Sequence, residues 1–445
     1  MDKFLIVGGG GREAAFARQL AKDSMVYAVM AHNNPTIVDC AQQTGGAVCL
    51  GNINDGELVA DFAAAQAIDY VFVNADNPLQ AGVVDTLLAA GISTAGPTRE
   101  GARIEWDKIY AMEIMARLFP EVTPFFKIIT TASDIAGAQK SFAEAGKEIV
   151  VKPQGLTGGK GVKVMGEHLS DEAAAADYTA QLLATGNKVL WVEKLRGVEF
   201  TIMGLTDGNT VIAAPATYDY PYRYAGNIGA GTGGMGCFSA ADGCLPFLSP
   251  TNAKACETMM RSVVADMRAY DLHFNGVING GFFLTADGIK FMEFNARFGD
   301  PECINVLSLL ESSFTDIIRA FADGTLATTR INFAPQASVV KYLVSPSYPE
   351  KGDPVTFTLP VAQLEAHGLS VLFSAAVKTG ETAYQTVSSS RVAAVSAMAA
   401  DIATAAAKIN DNLETYFDGT LDYRIDIGTA EDLAALTRQV TNLQL

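Results

Sequence analysis

Apolar residues recur along this chain with two different periods, and the changes of period mark its elements. Short apolar runs, FLIVGGG at 4–10, MVYAVMA at 25–31 and DYVFVN at 69–74, read as buried strands. Between them lie REAAFARQLA (12–21), ELVADFAAAQA (57–67) and AGVVDTLLAAG (81–91), whose apolar positions repeat at helical spacing. Strands alternating with helices predict βαβ units on a parallel sheet, so residues 1–102 are expected to form a Rossmann-like α/β domain. A second regime, 103–330, mixes helices with glycine-rich loops and long strands. A third, 331–445, opens on SVVKYLV, carries the helical stretch SAMAADIATAAAKI and ends near DYRIDIG, which predicts a small α+β C-terminal domain.

One apolar run breaks its own pattern. In FMEFNARFGDPE (291–302) Glu293, Asn295 and Arg297 fall at every second position of a strand-like segment. With a side-chain period of 2 they share one face. A carboxylate, an amide oxygen and a guanidinium in a row are costly to bury without partners, so something polar is expected opposite them.

Composition narrows the setting. With 49% hydrophobic and 18% charged residues among 445, the chain can bury sizeable cores in several domains. The net charge of −17 argues against nucleic acid or an anionic membrane as partner, although local basic groups can still dominate a pocket for an anionic small molecule. The six cysteines (Cys40, Cys49, Cys237, Cys244, Cys256, Cys303) form no CxxC pair, which suits free thiols in a reducing cytoplasm. No secretory segment and no run of about 18 apolar residues is present, so a cytoplasmic protein is expected.

Two glycine-rich loops carry candidate chemistry. VGGGGRE (7–13) joins the first strand to a helix, and such a turn offers backbone N–H groups and a helix dipole to a phosphate. The spacing fits the dinucleotide fingerprint only in its first half: Glu13 stands where Gly or Ala belongs, and no acidic residue ends the second strand. Phosphate binding, a packing turn and dinucleotide binding all stay open. IVVKPQGLTGGKGVKVM (149–165) is not a Walker loop, because Lys160 and Gly161 stand where its Gly and Ser/Thr would be. It reads as strand–loop–strand, a flap whose backbone can approach phosphates closely, with Lys152 and Lys160 as point charges. In VLWVEKLRGVE (189–199), Glu193 and Glu199 suit an adenine amine and a ribose hydroxyl equally as well as solvent.

Lys108 in RIEWDKIYA, Lys152 with the GGKG flap, VEKLRGVE and EFN, taken in order, resemble the ATP-grasp ligases. More narrowly, IVGGGGRE, AGPTREGARIEWDK, VVKPQGLTGGKGV, GAGTGGMG, DGIKFMEFNARFGDPE and DYRIDIG resemble the phosphoribosylamine–glycine ligase family from the first strand to the last twenty residues. The resemblance implies an ATP-grasp region over 103–330 with a lid at about 124–195. It also implies ATP held by Lys108, Lys152, Gly158, Gly159, Lys160, Gly161, Glu193, Lys194, Leu195 and Glu199. Glu293 and Asn295 would hold Mg²⁺ or Mn²⁺. The turn Gly9, Gly10, Gly11, Arg12 and Glu13, with Thr232, Gly233, Gly234 and Met235, would bind substrate, and Asp219, Arg297 and Asp300 would face the reacting groups. Implied substrates are glycine, 5-phosphoribosylamine and ATP, with another carboxylate–amine pair as the alternative, in a monomer or homodimer. The chain differs from the usual family pattern at Ala14, at Asp219–Arg223 (DYPYR) and at Ser388–Arg391.

Overall fold

The computed structural model of the protein describes residues 1–156 and 161–443. The N-terminal apolar runs become β1 (Lys3–Val7), β2 (Met25–Met30), β3 (Val48–Leu50), β4 (Tyr70–Val73) and β5 (Thr94–Ala95), all parallel, in the order β3-β2-β1-β4-β5. Phe4–Val7, Val26–Met30 and Val71–Val73 are fully enclosed, as a parallel sheet between two helical layers requires. The strand order reverses between β1 and β4, so their carboxyl ends frame a crevice where such sheets bind ligands. The turn of Gly8–Gly10 and the segment starting at Asn74 lie there.

A second body holds β6 (Phe126–Ile129), β7 (Ile149–Pro153), β8 (Lys163–Val164) and β9 (Val189–Glu193), antiparallel in the order β6-β9-β7-β8. Its core of Ile129, Phe142, Ile149, Val151 and Trp191 is separate from the main one. The Trp191 indole N–H donates to Thr179 Oγ1 at 2.8 Å, so this large buried side chain keeps its polar atom satisfied.

β10 (Gly197–Thr206) and β11 (Val211–Ala213) come next, followed by the short strands β12 (Tyr218–Asp219), β13 (Tyr222–Tyr224), β14 (Ile228–Gly231) and β15 (Gly236–Ser239). β16 (Gly276–Thr285) and β17 (Gly288–Asn295) then complete the antiparallel sheet β11-β10-β16-β17. A bulge in the β16–β17 register leaves Met292 without a partner: Phe282 faces Phe291, Gly281 faces Glu293 and Asn279 faces Asn295. That extra residue explains the doubled apolar pair in FMEFN. Phe291 and Phe294 both enter the core, while Glu293 and Asn295 share the opposite face and stay half-buried.

β12 and β15 join β18 (Ala337–Val344) and the later strands Arg391–Ala399 and Ser370–Phe373 in one sheet. The segment around Asp219 therefore leans on C-terminal strands. No helix among the described residues is long and apolar enough to cross a membrane.

Candidate active site

Three elements distant in sequence meet in one narrow crevice. Lys108 opens the helix Lys108–Leu118, capped by Asp107; Lys152 is the last residue but one of β7; Glu293 lies on β17. All three line the crevice, with Ile104, Met112, Leu190 and Phe291 as its apolar wall. Lys152 is 9% exposed, and among the described residues its Nζ has only the Met292 carbonyl, at 3.4 Å. Burial lowers its pKa and Lys108 lowers it further, against Glu293 and Glu199. A buried ammonium so poorly partnered is a strong attractor for an anion. Lys108 donates to the Gly155 carbonyl at 2.7 Å, which ties the helix to the start of the flap, and Gly161 at the other end accepts from the Tyr178 hydroxyl at 2.9 Å. Gly158, Gly159 and Lys160 lie outside the described residues.

Glu193 and Glu199, the acidic pair, differ in their surroundings. Both Glu193 oxygens are taken up: one accepts from Phe125 N–H at 3.0 Å, the other pairs with Lys147 at 2.5 Å. Lys194 reaches Glu167 at 2.9 Å, and Leu195 follows at the exit from β9. Glu199, on β10, senses the charge of Glu293. Burial first, then Glu293, pushes its carboxyl up to about 7, with Lys152 opposing.

The donor set fits a hard divalent cation. Glu293 and Asn295 offer oxygens from one face of β17, and the Asn279 side-chain oxygen, on the strand opposite Asn295, is buried without a partner. Among the described residues no three His, Cys, Asp or Glu side chains form a protein-only cage. Magnesium is held in that sparse way, with water and phosphate completing its shell.

Beyond the end of β17 the chain assembles a charged cluster. The glycine turn is partly self-satisfied: Gly10 N–H donates to Glu13 Oε2 at 2.8 Å, and Gly11 N–H donates to Ser374 Oγ at 3.1 Å. Gly11 is obligatory, since a Cβ there would sit 2.1 Å from the Tyr342 hydroxyl. The Asn34 amide holds the Gly9 carbonyl at 2.9 Å. Arg12 donates to Glu13 at 3.0 Å and to the Phe298 carbonyl at 2.8 Å. Burial works against its charge, but Glu13, Asp76 and Asp300 outweigh that and hold it protonated.

Arg297, just past the end of β17, donates to Asn295 Oδ1 and to the Phe298 carbonyl, both at 3.2 Å. Its Nε lies 3.1 Å from Glu105 Oε1. The two charges attract across that distance, although the Nε–H is not aimed at the carboxylate and is left without a hydrogen bond.

Asp219 and the TGGMG turn close the cluster. Thr232 N–H and Oγ1 both donate to the Pro221 carbonyl, at 2.7 and 2.8 Å, and Thr232 Oγ1 accepts from Gly234 N–H at 3.1 Å. Gly233 N–H reaches the Tyr348 hydroxyl at 3.4 Å, and Met235 is fully buried. Gly234 has φ +103°, and a Cβ there would lie 2.6 Å from Asp219 Oδ1. That oxygen is buried with no partner. Burial, then Glu302 and Glu199, holds the Asp219 carboxyl well above its usual range. A ligand N–H donor would relieve it.

Sequence reasoning missed several members of this site. Arg391 donates to the carbonyls of Gly233 (2.6 Å), Gly234 (3.2 Å) and Asp300, and stacks on Tyr342 with 4.6 Å to the ring centroid. Tyr342 donates to Asp300 Oδ1 at 2.6 Å. Arg391, Tyr342, Ser374, Glu105 and Asp76 come from scattered segments, and no local spacing connects them. The one available signal was the charge of Arg391 beside a turn.

The fold and the site define the class: an ATP-grasp architecture with its charged crevice between two separately cored bodies. The crystal structure of phosphoribosylamine–glycine ligase from Thermotoga maritima superposes with TM-score 0.76 at 21% identity, covering 95% of this chain and 99% of that one. The biotin carboxylase domain of Hydrogenobacter thermophilus 2-oxoglutarate carboxylase, solved with MgADP and bicarbonate, gives TM-score 0.71 at 16% identity, covering 99% and 97%. Models of phosphoribosylglycinamide synthetase match its N domain at residues 2–105 and its ATP-grasp domain at 107–303. The phosphoribosylamine–glycine ligase of Methanosarcina barkeri is 40% identical over 435 residues, 96% of each chain. The chain belongs to the phosphoribosylglycinamide synthetase family.

Proposed function

We propose that the protein uses ATP to join glycine to 5-phosphoribosylamine, giving glycinamide ribonucleotide, ADP and phosphate. The observation that supports this most is the crevice in which Lys108, Lys152 and Glu293 converge beside Asn295, in a chain whose full-length relatives carry this activity in their names. The glycine carboxylate attacks the γ-phosphorus, the bond to the β-phosphate oxygen breaks, and ADP leaves. The substrate amine then attacks the acyl carbon of glycyl phosphate, phosphate leaves, and an amide remains. Neither step needs a protein nucleophile, so the residues act by positioning and by offsetting charge.

Lys108 and Lys152 hold the nucleotide phosphates. Glu293 and Asn295 would hold Mg²⁺ or Mn²⁺, which when bound neutralises phosphate charge. Arg297 faces the transferring group, Asp219 accepts from an amine through its free oxygen, and Asp300 lies beside it under Arg391. The glycine turn and Arg12 serve the ribose phosphate, although Glu13 and Ser374 already occupy two of its N–H groups. Residues 1–102, 103–330 and 331–445 divide this work, with the last region supplying Tyr342 and Arg391. ADP release measured against a panel of amines with glycine and ATP tests the reading. Turnover confined to phosphoribosylamine is expected; brisk turnover with another amine and none with this one would reassign the substrate.

A further inference from the structure

Three residues before Lys108, in the short helix Arg103–Trp106 that precedes its own, stands a buried carboxylate, Glu105. Glu105 is 7% exposed. One of its oxygens accepts from Ala296 N–H at 2.9 Å, and the other lies 3.1 Å from Arg297 Nε. Arg297 in turn donates to Asn295 Oδ1. β17 ends at Asn295, so the ladder that fixes Glu293 and Asn295 no longer fixes Ala296 and Arg297. Glu105 supplies what the ladder stops supplying: a hydrogen bond to the backbone and an opposite charge behind the guanidinium.

Without that carboxylate, Arg297 would have Asp76 and Glu302 attracting it and Arg12, which shares the Phe298 carbonyl, repelling it. Its long side chain would then have several resting places. We infer that Glu105 is a positioning residue for the ligation: it aims the Arg297 guanidinium at the transferring phosphoryl group and keeps the exit of β17 in register. This rests on the role given above to Arg297.

Glu105→Gln keeps the shape and leaves an amide oxygen to accept from Ala296 N–H, but removes the charge behind Arg297. An arginine displaced by about 1 Å costs on the order of 100-fold in turnover. The expected result is a kcat lower by that factor with KM for ATP changed less than threefold. In an Arg297→Ala background the same substitution is expected to change kcat no further, since residues acting as one unit are non-additive. Melting curves accompany each variant, and if Glu105→Gln melts below the assay temperature, Glu105→Asp, which keeps the charge on a shorter stem, enters the same comparison. A kcat loss of equal size in both backgrounds, or native kcat in folded Glu105→Gln, overturns the inference while leaving the role of Arg297 intact. Native kcat in Arg297→Ala overturns that role, and the inference with it.

Discussion

Replacing Lys341 with Met should alter the pH dependence of stability in a way that can be worked out in advance. Lys341 lies on β18 opposite Gly236, with 0% exposure. Its Nζ donates to Asn410 Oδ1 at 2.7 Å and to the Ile425 carbonyl at 2.8 Å, and no carboxylate is in contact. Burial lowers its pKa from 10.5 to about 7; Asp426 and Asp432 resist and Arg424 assists.

The unfolded chain keeps this proton up to the ordinary lysine range. Between about 7 and 10.5 the unfolded state therefore binds more protons than the folded one, and stability rises with pH across that window. Below the window both states are charged, and the native state carries the full cost of burying an ammonium, about 5 kcal/mol at 1.36 kcal/mol per tenfold in proton affinity. Lys341→Met removes that cost but strands one acceptor, Asn410 Oδ1, at about 1–3 kcal/mol, since the Ile425 carbonyl still accepts from Asn410 Nδ2 at 3.0 Å. The variant should exceed the parent at pH 6.5 and match it or fall below it at pH 9.5, with the difference in stability swinging by roughly 3 kcal/mol. Melting temperatures of both proteins from pH 6.5 to 9.5 test this, with an expected relative swing of several degrees. Parallel pH profiles would refute a neutral lysine in the core.

Other outcomes follow from the site. Glu293→Gln should leave the melting temperature within about 2 °C but lower turnover roughly 100-fold or more, as loss of a preorganised charge does; near-native turnover in the folded variant would remove Glu293 from the metal site. Gly11→Ala should destabilise by about 2 kcal/mol or more, because the new methyl meets the Tyr342 hydroxyl at 2.1 Å, and chemical denaturation would show it. Tyr342→Phe, which loses the bond to Asp300, should relieve that clash only partly, since the ring atom Cζ lies 3.2 Å from the same methyl.

Much of this architecture is legible from periodicity and motif. The N-terminal strands announce themselves as enclosed apolar runs between alanine-rich helices, and the parallel sheet follows. The flap's flanking runs become β7 and β8, and EFN falls on a strand with both oxygens on one face. What could not be read is set by contacts between distant segments. The bulge at Met292 depends on the register with β16, so strict alternation was the wrong picture for FMEFN although the shared face was right. Glu13 belongs to the glycine motif, yet that it folds back onto Gly10 N–H is a matter of helix-cap geometry. Glu193 pairs with Lys147, forty-odd residues away on another strand's approach. Arg391 reaches Gly233 across more than 150 residues. The sheet that β12 and β15 share with β18 makes that contact possible, and no local spacing encodes it.

Glu293 and Asn295 are proposed to hold a divalent cation beside Lys152. Crystals soaked with Mn²⁺ and a non-hydrolysable ATP analogue, measured at the manganese absorption edge, test it most directly. The expected result is one anomalous peak within coordination distance of an oxygen from each of these two side chains, with the phosphates reaching Lys108 and Lys152. A peak elsewhere, or nucleotide bound with the two side chains turned apart, would contradict it.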